Sequence, residues 1–452
     1  MTLSAPTYQR AVHAPNVIVG LGRTGLSCAR YLASRGEAFA ITDSRPEPPE
    51  LAQVRQLAPH VDVRVGGFDQ ALLDGASLVI ASPGVSLREP FLIEAARRRI
   101  PIVGDIELFA RVAKAPIAAI TGTNGKSTVT TLVALMAEAA GRKVLAGGNL
   151  GRPALDLLGE ATPELYVLEL SSFQLETTQS LRCAVAAVLN VTPDHMDRYT
   201  GIQEYAAAKA RIFIGAAVAV VNLDDPHVQA MPTHDARVIT FSLNAERGAT
   251  YHAARTENGL VLMRGLQRIV GMNELKLTGA HNAANALAAL AICEGLGLPL
   301  APCVSALKSF TGLPHRSQWV ADVAGVTYVD DSKGTNVGAT LAAVAGMDGP
   351  LVVIAGGQGK DQDFTPLADA FRGKVRKAIL LGQDAPAIEA VLADVCQTMR
   401  ARDMEHAVQL AAQVARPGET VLLSPACASQ DMFRDYAHRG DVFAAAVRRL
   451  GS

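Results

Sequence analysis

The stretch Thr121-Gly-Thr-Asn-Gly-Lys-Ser-Thr128 constrains this chain more than any other. An apolar run from Pro116 to Ile120 predicts a buried strand before it, and Val129 to Ala140 predicts a helix after it. A strand, a glycine turn, Lys-Ser and a helix N-terminus form an α/β connection suited to nucleotide phosphates. Backbone N–H groups and the helix dipole face the anion, and lysine adds a full positive charge. Gly122, Thr123, Asn124, Gly125, Lys126, Ser127 and Thr128 are therefore candidates for holding ATP, with the hydroxyl of Ser127 or Thr128 available to Mg²⁺. The spacing is shorter than the common G-x-x-x-x-G-K-[ST], whose first glycine would fall at Ile120.

With 452 residues and roughly 150 per domain, two to four domains are expected, and the pattern divides into three. The first segment opens with Asn16-Val-Ile-Val-Gly-Leu-Gly-Arg-Thr-Gly25, a strand entering G-x-G-x-x-G. A helix over Leu26 to Arg35 stops at Gly36, and a strand over Ala38 to Thr42 ends at Asp43. Alone, this β-α-β plan suggests a dinucleotide such as NAD. The strand-to-turn pattern repeats at Ser77 to Gly84, and the segment closes near Gly104. The middle segment, 105–312, carries the phosphate loop. Strands follow at Tyr166 to Leu170, Ala184 to Asn190 and Val218 to Asn222, then an antiparallel excursion within Asn244 to Val270 and a helix from Gly279 to Leu290. The last segment, 313–452, places strands at Val326 to Asp330, Leu351 to Ala355, Ala378 to Leu381 and Thr420 to Leu423. The expected fold class is α/β in three consecutive domains: a Rossmann-like domain, a central P-loop ATPase-like domain and a second Rossmann-like domain.

Composition narrows the partners. A net charge of −1 without a long basic run argues against nucleic acid. No apolar stretch reaches the ~18 residues of a membrane span, and Met1 to Asn16 lacks the apolar core of a signal peptide. Six scattered cysteines without a C-x-x-C pair suit reduced, mostly buried thiols. A soluble cytoplasmic enzyme is expected.

Further candidates sit at strand ends. Glu169 ends an apolar run in Tyr166-Val-Leu-Glu-Leu-Ser-Ser-Phe-Gln-Leu-Glu176, where an unpaired charge calls for a cation or partner. His195 lies between two acids in Asn190-Val-Thr-Pro-Asp-His-Met-Asp-Arg-Tyr199. Lys209, by its neighbours alone, reads as an exposed helix lysine. Three turns of the last segment, Asp330 to Asn336, Gly356 to Phe364 (with Lys360) and Ser424 to Phe433, together suggest a binding edge for a small, polar, anionic molecule. ATP with two further ligand edges and no redox motif fits a ligase that phosphorylates a carboxylate, giving an acyl phosphate that an amine then attacks.

These strings together resemble the Mur ligase family: GLGRTGLS, TDSR, SPGVS, TGTNGKST, GGNLG, ELSSFQLE, PDHMDRY, AAAK, GAHNAANALAAL, LPHRSQ, DDSKGTNVGAT, GGQGKDQDF and SPACASQDMF, in order along nearly the whole chain. The resemblance implies addition of D-glutamate to UDP-N-acetylmuramoyl-L-alanine in peptidoglycan precursor synthesis, by a monomer acting on small molecules. It implies that the first domain binds UDP rather than NAD, through Gly22, Thr24, Asp43, Ser44, Arg45, Ser82, Gly84 and Asn149. Asn282, Asn285, Arg316, Asp331 and Lys333 would contact ATP. Two Mg²⁺ sites would draw on Ser127, Thr128, Glu169, His195 and Lys209, the last carrying a CO₂-derived carbamate. That replaces the surface reading of Lys209. Lys126, Glu169, His195 and Lys209 are the implied catalytic set. D-glutamate would meet Thr335, Lys360, Ser429 and Tyr436, where the family has Phe at the last position. The alternatives are a sister ligase for another amino acid, including a folylpolyglutamate type, an NAD-dependent dehydrogenase and a non-catalytic nucleotide-binding protein. The D-N-P-R motif of diaminopimelate-adding relatives is absent.

Overall fold

The computed structural model describes residues 16–451 except 150, 258, 278 and 348. The reading of the N-terminus falls almost wholly outside these residues, as does Leu150 of GGNLG. The chain divides into two compact units, one of residues 1–117 with 145–182 and the other of 118–144 with 183–452. Among the described residues no helix is long and apolar enough to cross a membrane.

The first unit holds a five-stranded sheet in the order Val63–Val65, Phe39–Asp43, Asn16–Val19, Leu78–Ala81, Ile102–Val103. All its pairings are parallel. Strand order reverses between Asn16–Val19 and Leu78–Ala81, so the turns at Gly20–Gly22 and Ser82–Gly84 flank a switch point, where open α/β sheets bind ligands. The helix Arg23–Ser34 ends as expected: Gly36 takes φ +67°, and Glu37 N–H donates back to Leu32 O. Strands Val144–Gly148 and Leu165–Glu169 belong largely to this unit.

In the second unit, parallel strands run Ile117–Thr121, Val185–Val188, Val218–Asn222, Arg237–Ser242 and Tyr251–Thr256. The predicted antiparallel excursion follows as Tyr251–Thr256, Gly259–Arg264 and Gln267–Gly271. Residues 318–451 form a six-stranded sheet ordered Gln318–Val323, Val326–Asp330, Thr420–Leu423, Leu351–Ala355, Val375–Leu380, Gln397–Arg400. Leu351–Ala355 is buried along its length, as a central parallel strand requires. Leu351, Val353 and Ala355 pack with Val344, Leu367 and Ile388 on one face, while Val352 and Ile354 pack with Val408 and Phe443 on the other. The strands preceding the three candidate turns are adjacent in this sheet, which brings those turns to one edge.

Candidate nucleotide and substrate sites

In the first unit, a cavity of about 460 Å³ lies over the switch point. It is lined by all eight residues that the family resemblance implies for UDP: Gly22, Thr24, Asp43, Ser44, Arg45, Ser82, Gly84 and Asn149. Asp43, 2% exposed, ends its strand and is used structurally. Its carboxylate accepts Leu21 N–H at 2.6 Å and Arg45 N–H, Nε and Nη2 at 2.8, 2.9 and 2.7 Å. Burial alone would raise its pKa, but Arg45 and these backbone donors outweigh it and hold the carboxyl below its ordinary value. Asp43 thus shapes the turn and presents Arg45 on the cavity. Glu169 is 3% exposed; its Oε1 accepts Asn149 Nδ2 at 2.6 Å, while Oε2 is buried with no hydrogen-bond partner. A buried carboxylate oxygen left open in this way fits a cation ligand.

In the second unit, Gly125 caps the helix Lys126–Ala139 at φ +83°, a conformation glycine adopts freely. A Cβ there would stand 2.3 Å from Asn285 Oδ1. The turn is pinned to the loop after Val185–Val188: Thr123 N–H donates to Asn190 O at 2.9 Å, and Asn124 N–H donates to Asn190 Oδ1 at 2.8 Å. Lys126 Nζ folds over the turn, donating to Gly122 O and Thr123 O at 2.7 Å each. Arg316 Nη2 donates to Ser127 Oγ at 2.7 Å. Asn124, Gly125, Thr128, Asn282, Asn285, Arg316, Asp331 and Lys333 line a cavity of about 270 Å³ beside the turn. Asp331 accepts Ser424 Oγ–H at 2.8 Å and Ser317 N–H at 3.1 Å. Burial pushes its carboxyl up to about 7, more than those donors and Arg316 lower it.

Lys209 is 1% exposed, contrary to what its neighbours in sequence suggest. The helix Ile202–Ala210 turns it inward, where Nζ donates to Gly122 O at 3.0 Å and lies 4.2 Å from the centre of the Tyr205 ring. His195 takes φ +59°. Burial, with Lys360, Lys126 and Lys209 adding to it against Asp194, brings its imidazole down to about 4, so the ring is neutral at pH 7 and able to accept. Among the described residues no three His, Cys, Asp or Glu side chains gather as a metal site. The ligand set implied for this chain instead mixes hydroxyls and a modified lysine with one carboxylate and one imidazole.

None of the four amino-acid candidates lines the 270 Å³ cavity. Lys360 Nζ pairs with Asp194 Oδ1 at 3.3 Å, and the Tyr436 ring lies 3.9 Å beneath Lys333 Nζ. Thr335 follows in the same turn as Lys333, and Ser429 is buried in the turn after Thr420–Leu423. Sequence reasoning missed the residues that join these parts. Asn336 caps Val337–Gly346 while its Nδ2 reaches Asn124 Oδ1 at 3.2 Å and Asp194 Oδ2 at 3.3 Å. Buried Arg439 donates to Ser332 Oγ and O and to the carbonyls of Cys427 and Ala428, fixing two of the three turns. An asparagine before a helix is a visible cap; an arginine in an amphipathic helix gives no signal of burial.

Comparison with known proteins agrees with this architecture. Residues 14–104 match the N-terminal domain of MurD-like Mur ligases, 120–293 the Mur ligase middle domain and 315–427 the Mur ligase glutamate ligase domain. The UDP-N-acetylmuramoylalanine–D-glutamate ligase of Nitrosococcus oceani is 51% identical over 444 residues, covering 98% of each chain. That of Pseudomonas aeruginosa is 50% identical over 438 residues, covering 96% of this chain and 98% of the other. Among solved structures, the UDP-N-acetylmuramate-alanine ligase of Thermotoga maritima superposes with a TM-score of 0.60 at 20% identity, covering 97% of this chain and all of that one. The folylpolyglutamate synthase of Mycobacterium tuberculosis does so at 0.58 and 17%, covering 80% and 97%. Likenesses at that identity speak for the fold alone; the family follows from the domain matches and the half-identical, full-length relatives. The chain belongs to the Mur ligase family.

Proposed function

We propose that this chain joins D-glutamate to the L-alanine carboxylate of UDP-N-acetylmuramoyl-L-alanine, using ATP and an acyl phosphate, as a step of peptidoglycan precursor synthesis. The observation that carries this reading is 51% identity over 98% of both chains with a relative named for that reaction. Residues 1–104, joined by Asn149, bind the UDP-sugar; 105–312, joined by Arg316, Asp331 and Lys333, bind ATP; and 313–452 also bind D-glutamate. The protein acts as a cytoplasmic monomer.

The cavity over the first switch point takes the diphosphate on the turn at Gly22 and the uridine side against Arg45. The alanine carboxylate attacks the γ-phosphorus of ATP; a P–O bond forms and ADP leaves. Lys126, already folded over the turn, holds the phosphates, and Asn282, Asn285, Arg316 and Asp331 hold the nucleoside. The amine of D-glutamate, held by Thr335, Lys360, Ser429 and Tyr436, attacks the acyl carbon. A C–N bond forms, phosphate departs and the amine loses a proton. Glu169 in the first unit, and Ser127 or Thr128, His195 and a carbamate on Lys209 in the second, would each ligate one of two Mg²⁺ ions. When bound, Mg²⁺ offsets charge on the transferring phosphoryl group. The open Oε2 of Glu169 and the buried Nζ of Lys209 support that assignment.

The test is phosphate release from ATP with UDP-N-acetylmuramoyl-L-alanine, across a panel of amino acids of both hands. Release with D-glutamate alone, and a product heavier by one glutamyl residue, is expected. Release with a different amino acid would move the chain to a sister activity, and no release with any would end the reading.

A further inference from the structure

Within the second unit, the start of the helix Val337–Gly346 meets both the nucleotide turn and the turn that carries Lys360. Asn336 caps that helix, its Oδ1 accepting Ala339 N–H at 2.9 Å. This bond fixes which end of the amide is oxygen, so Nδ2 is the donor, with two hydrogens to give. Both are spent, one on Asn124 Oδ1 at 3.2 Å and one on Asp194 Oδ2 at 3.3 Å. Asn124 Nδ2 donates back to Asn336 Oδ1 at 3.3 Å, so the two amides pair head to tail. Asn336 is 2% exposed. Gly338 permits the close approach: a Cβ there would stand 2.9 Å from Thr192 Oγ1. On the far side, Asp194 Oδ1 pairs with Lys360 Nζ at 3.3 Å. Val337 N–H donates to Gln362 Oε1 at 3.0 Å, and Gln362 Nε2 donates to Gly359 O at 2.6 Å, which ties the Lys360 turn to the same helix start. Lys360 and Asp361 take φ +54° and +56°, left-handed backbone that residues other than glycine keep only where their surroundings impose it.

We propose that Asn336 is a positioning residue that couples the nucleotide turn to Lys360 at the amino-acid edge. The inference rests on the ATP and D-glutamate assignments proposed above. Phosphates seated on the turn hold Asn124 in place; Asn124 holds the Asn336 amide, Asn336 holds Asp194, and Asp194 holds Lys360. Asn124 lines the 270 Å³ cavity and Lys360 does not, so nucleotide reaches Lys360 through these contacts rather than by covering it. Coupling of this kind is reciprocal, and an amino acid bound at Lys360 tightens nucleotide binding by the same factor.

The full-length protein is pulsed with acetic anhydride, with and without saturating adenylyl imidodiphosphate and Mg²⁺. Acetylation of Lys360 is read by mass spectrometry against the exposed Lys308. Nucleotide should slow Lys360 acetylation about fivefold in the wild type. It should not slow it in Asn336→Ser, whose hydroxyl keeps the helix cap while the amide donor is lost. In the same variant KM for D-glutamate should rise about tenfold, with KM for the UDP-sugar unchanged. Lys360 acetylated at one rate with and without bound nucleotide would overturn the coupling and leave the ATP assignment standing. Protection that persists in Asn336→Ser would do the same, since a nucleotide that simply covered Lys360 protects it in both proteins. A wild type that binds no nucleotide by calorimetry would end the ATP assignment and the coupling together. The labelling does not depend on which amino acid is the substrate. Asn336→Thr, which also keeps the cap, takes the place of Asn336→Ser if that variant does not fold.

Discussion

The chain builds two glycine turns between a strand and a helix, and they meet an anion in different ways. At Gly20 to Gly25 the backbone is drawn in by a carboxylate beneath it: Asp43 holds Leu21 N–H, and its charge is matched by Arg45. At Gly122 to Lys126 no carboxylate lies within the turn, and a lysine ammonium sits on its own carbonyls. Both present N–H groups at a helix start. The first is near neutral and suits a diphosphate that is bound unchanged. The second carries excess positive charge, which suits a phosphoryl group whose charge shifts during transfer. The backbone plan therefore says that an anion binds, and the charged side chains say what is done to it.

The largest break of that comparison is Lys126→Ala. We expect kcat/KM for ATP to fall by about 10²–10³ while UDP-sugar binding, read by calorimetry, is unchanged. Melting should hold nearly constant, since the ammonium's bonds to Gly122 O and Thr123 O lie within its own turn. Retained activity would end the phosphate assignment. Lys209→Ala should lose activity to a similar degree and regain part of it with added short-chain carboxylates; a fully active variant would dispose of the carbamate.

Next come the two buried aspartates, whose ionisation is shifted in opposite directions. Asp331 is raised to about 7, above the ~3.9 of an unfolded aspartate. The folded state therefore holds its proton longer, and stability declines as pH rises from about 4 to 7. Asp331→Asn should flatten that slope and gain up to roughly 4 kcal/mol above pH 7, measured by denaturant unfolding across pH, while KM for ATP rises. An unchanged slope would show that Asp331 is ionised in the fold. Asp43 is lowered, so its contribution is complete above pH ~4 and fades as pH falls through its folded value. Asp43→Asn should cost about 1–3 kcal/mol at pH 7, less at pH 3, and raise KM for the UDP-sugar but not for ATP. Equal rises in both would argue against the first unit as the UDP site.

What could be seen in the sequence was local. Strands Val218–Asn222, Val326–Asp330, Leu351–Ala355 and Thr420–Leu423 were legible to the residue because buried parallel strands are continuous apolar runs bounded by turns. Edge strands such as Val63–Val65, Gln318–Val323 and Gln397–Arg400 were not, since their exposed, mixed composition follows neither template. The helix behind the phosphate loop begins at Lys126 rather than Val129, because Gly125 caps it. Within the site, the turns were visible and their partners were not: Asn336 meets Asn124 across 212 positions, and Arg316 meets Ser127 across 189. Burial of Lys209 depends on which face of its helix packs, and a run of alanines leaves that undetermined.

The glycines give the finest cut between the two turns. Gly25 is needed for space alone: a Cβ there would stand 2.1 Å from the carbonyl oxygen of Gly20, a backbone atom that cannot swing aside. Gly25→Ala should therefore cost about 1–3 kcal/mol and weaken the UDP-sugar site with the fold. Gly125→Ala meets Asn285 Oδ1 instead, the end of a side chain that can rotate, so the strain of φ +83° remains. About 1–2 kcal/mol is expected, with a higher KM for ATP as Asn285 leaves the cavity. Gly22 stands in extended backbone with nothing within 4 Å of an added Cβ. Gly22→Ala should change stability by less than about 0.5 kcal/mol. It should still raise KM for the UDP-sugar, because Gly22 lines the cavity proposed to take the diphosphate. A silent Gly22→Ala, with Gly125→Ala impaired, would leave the second turn as an anion site and remove the first.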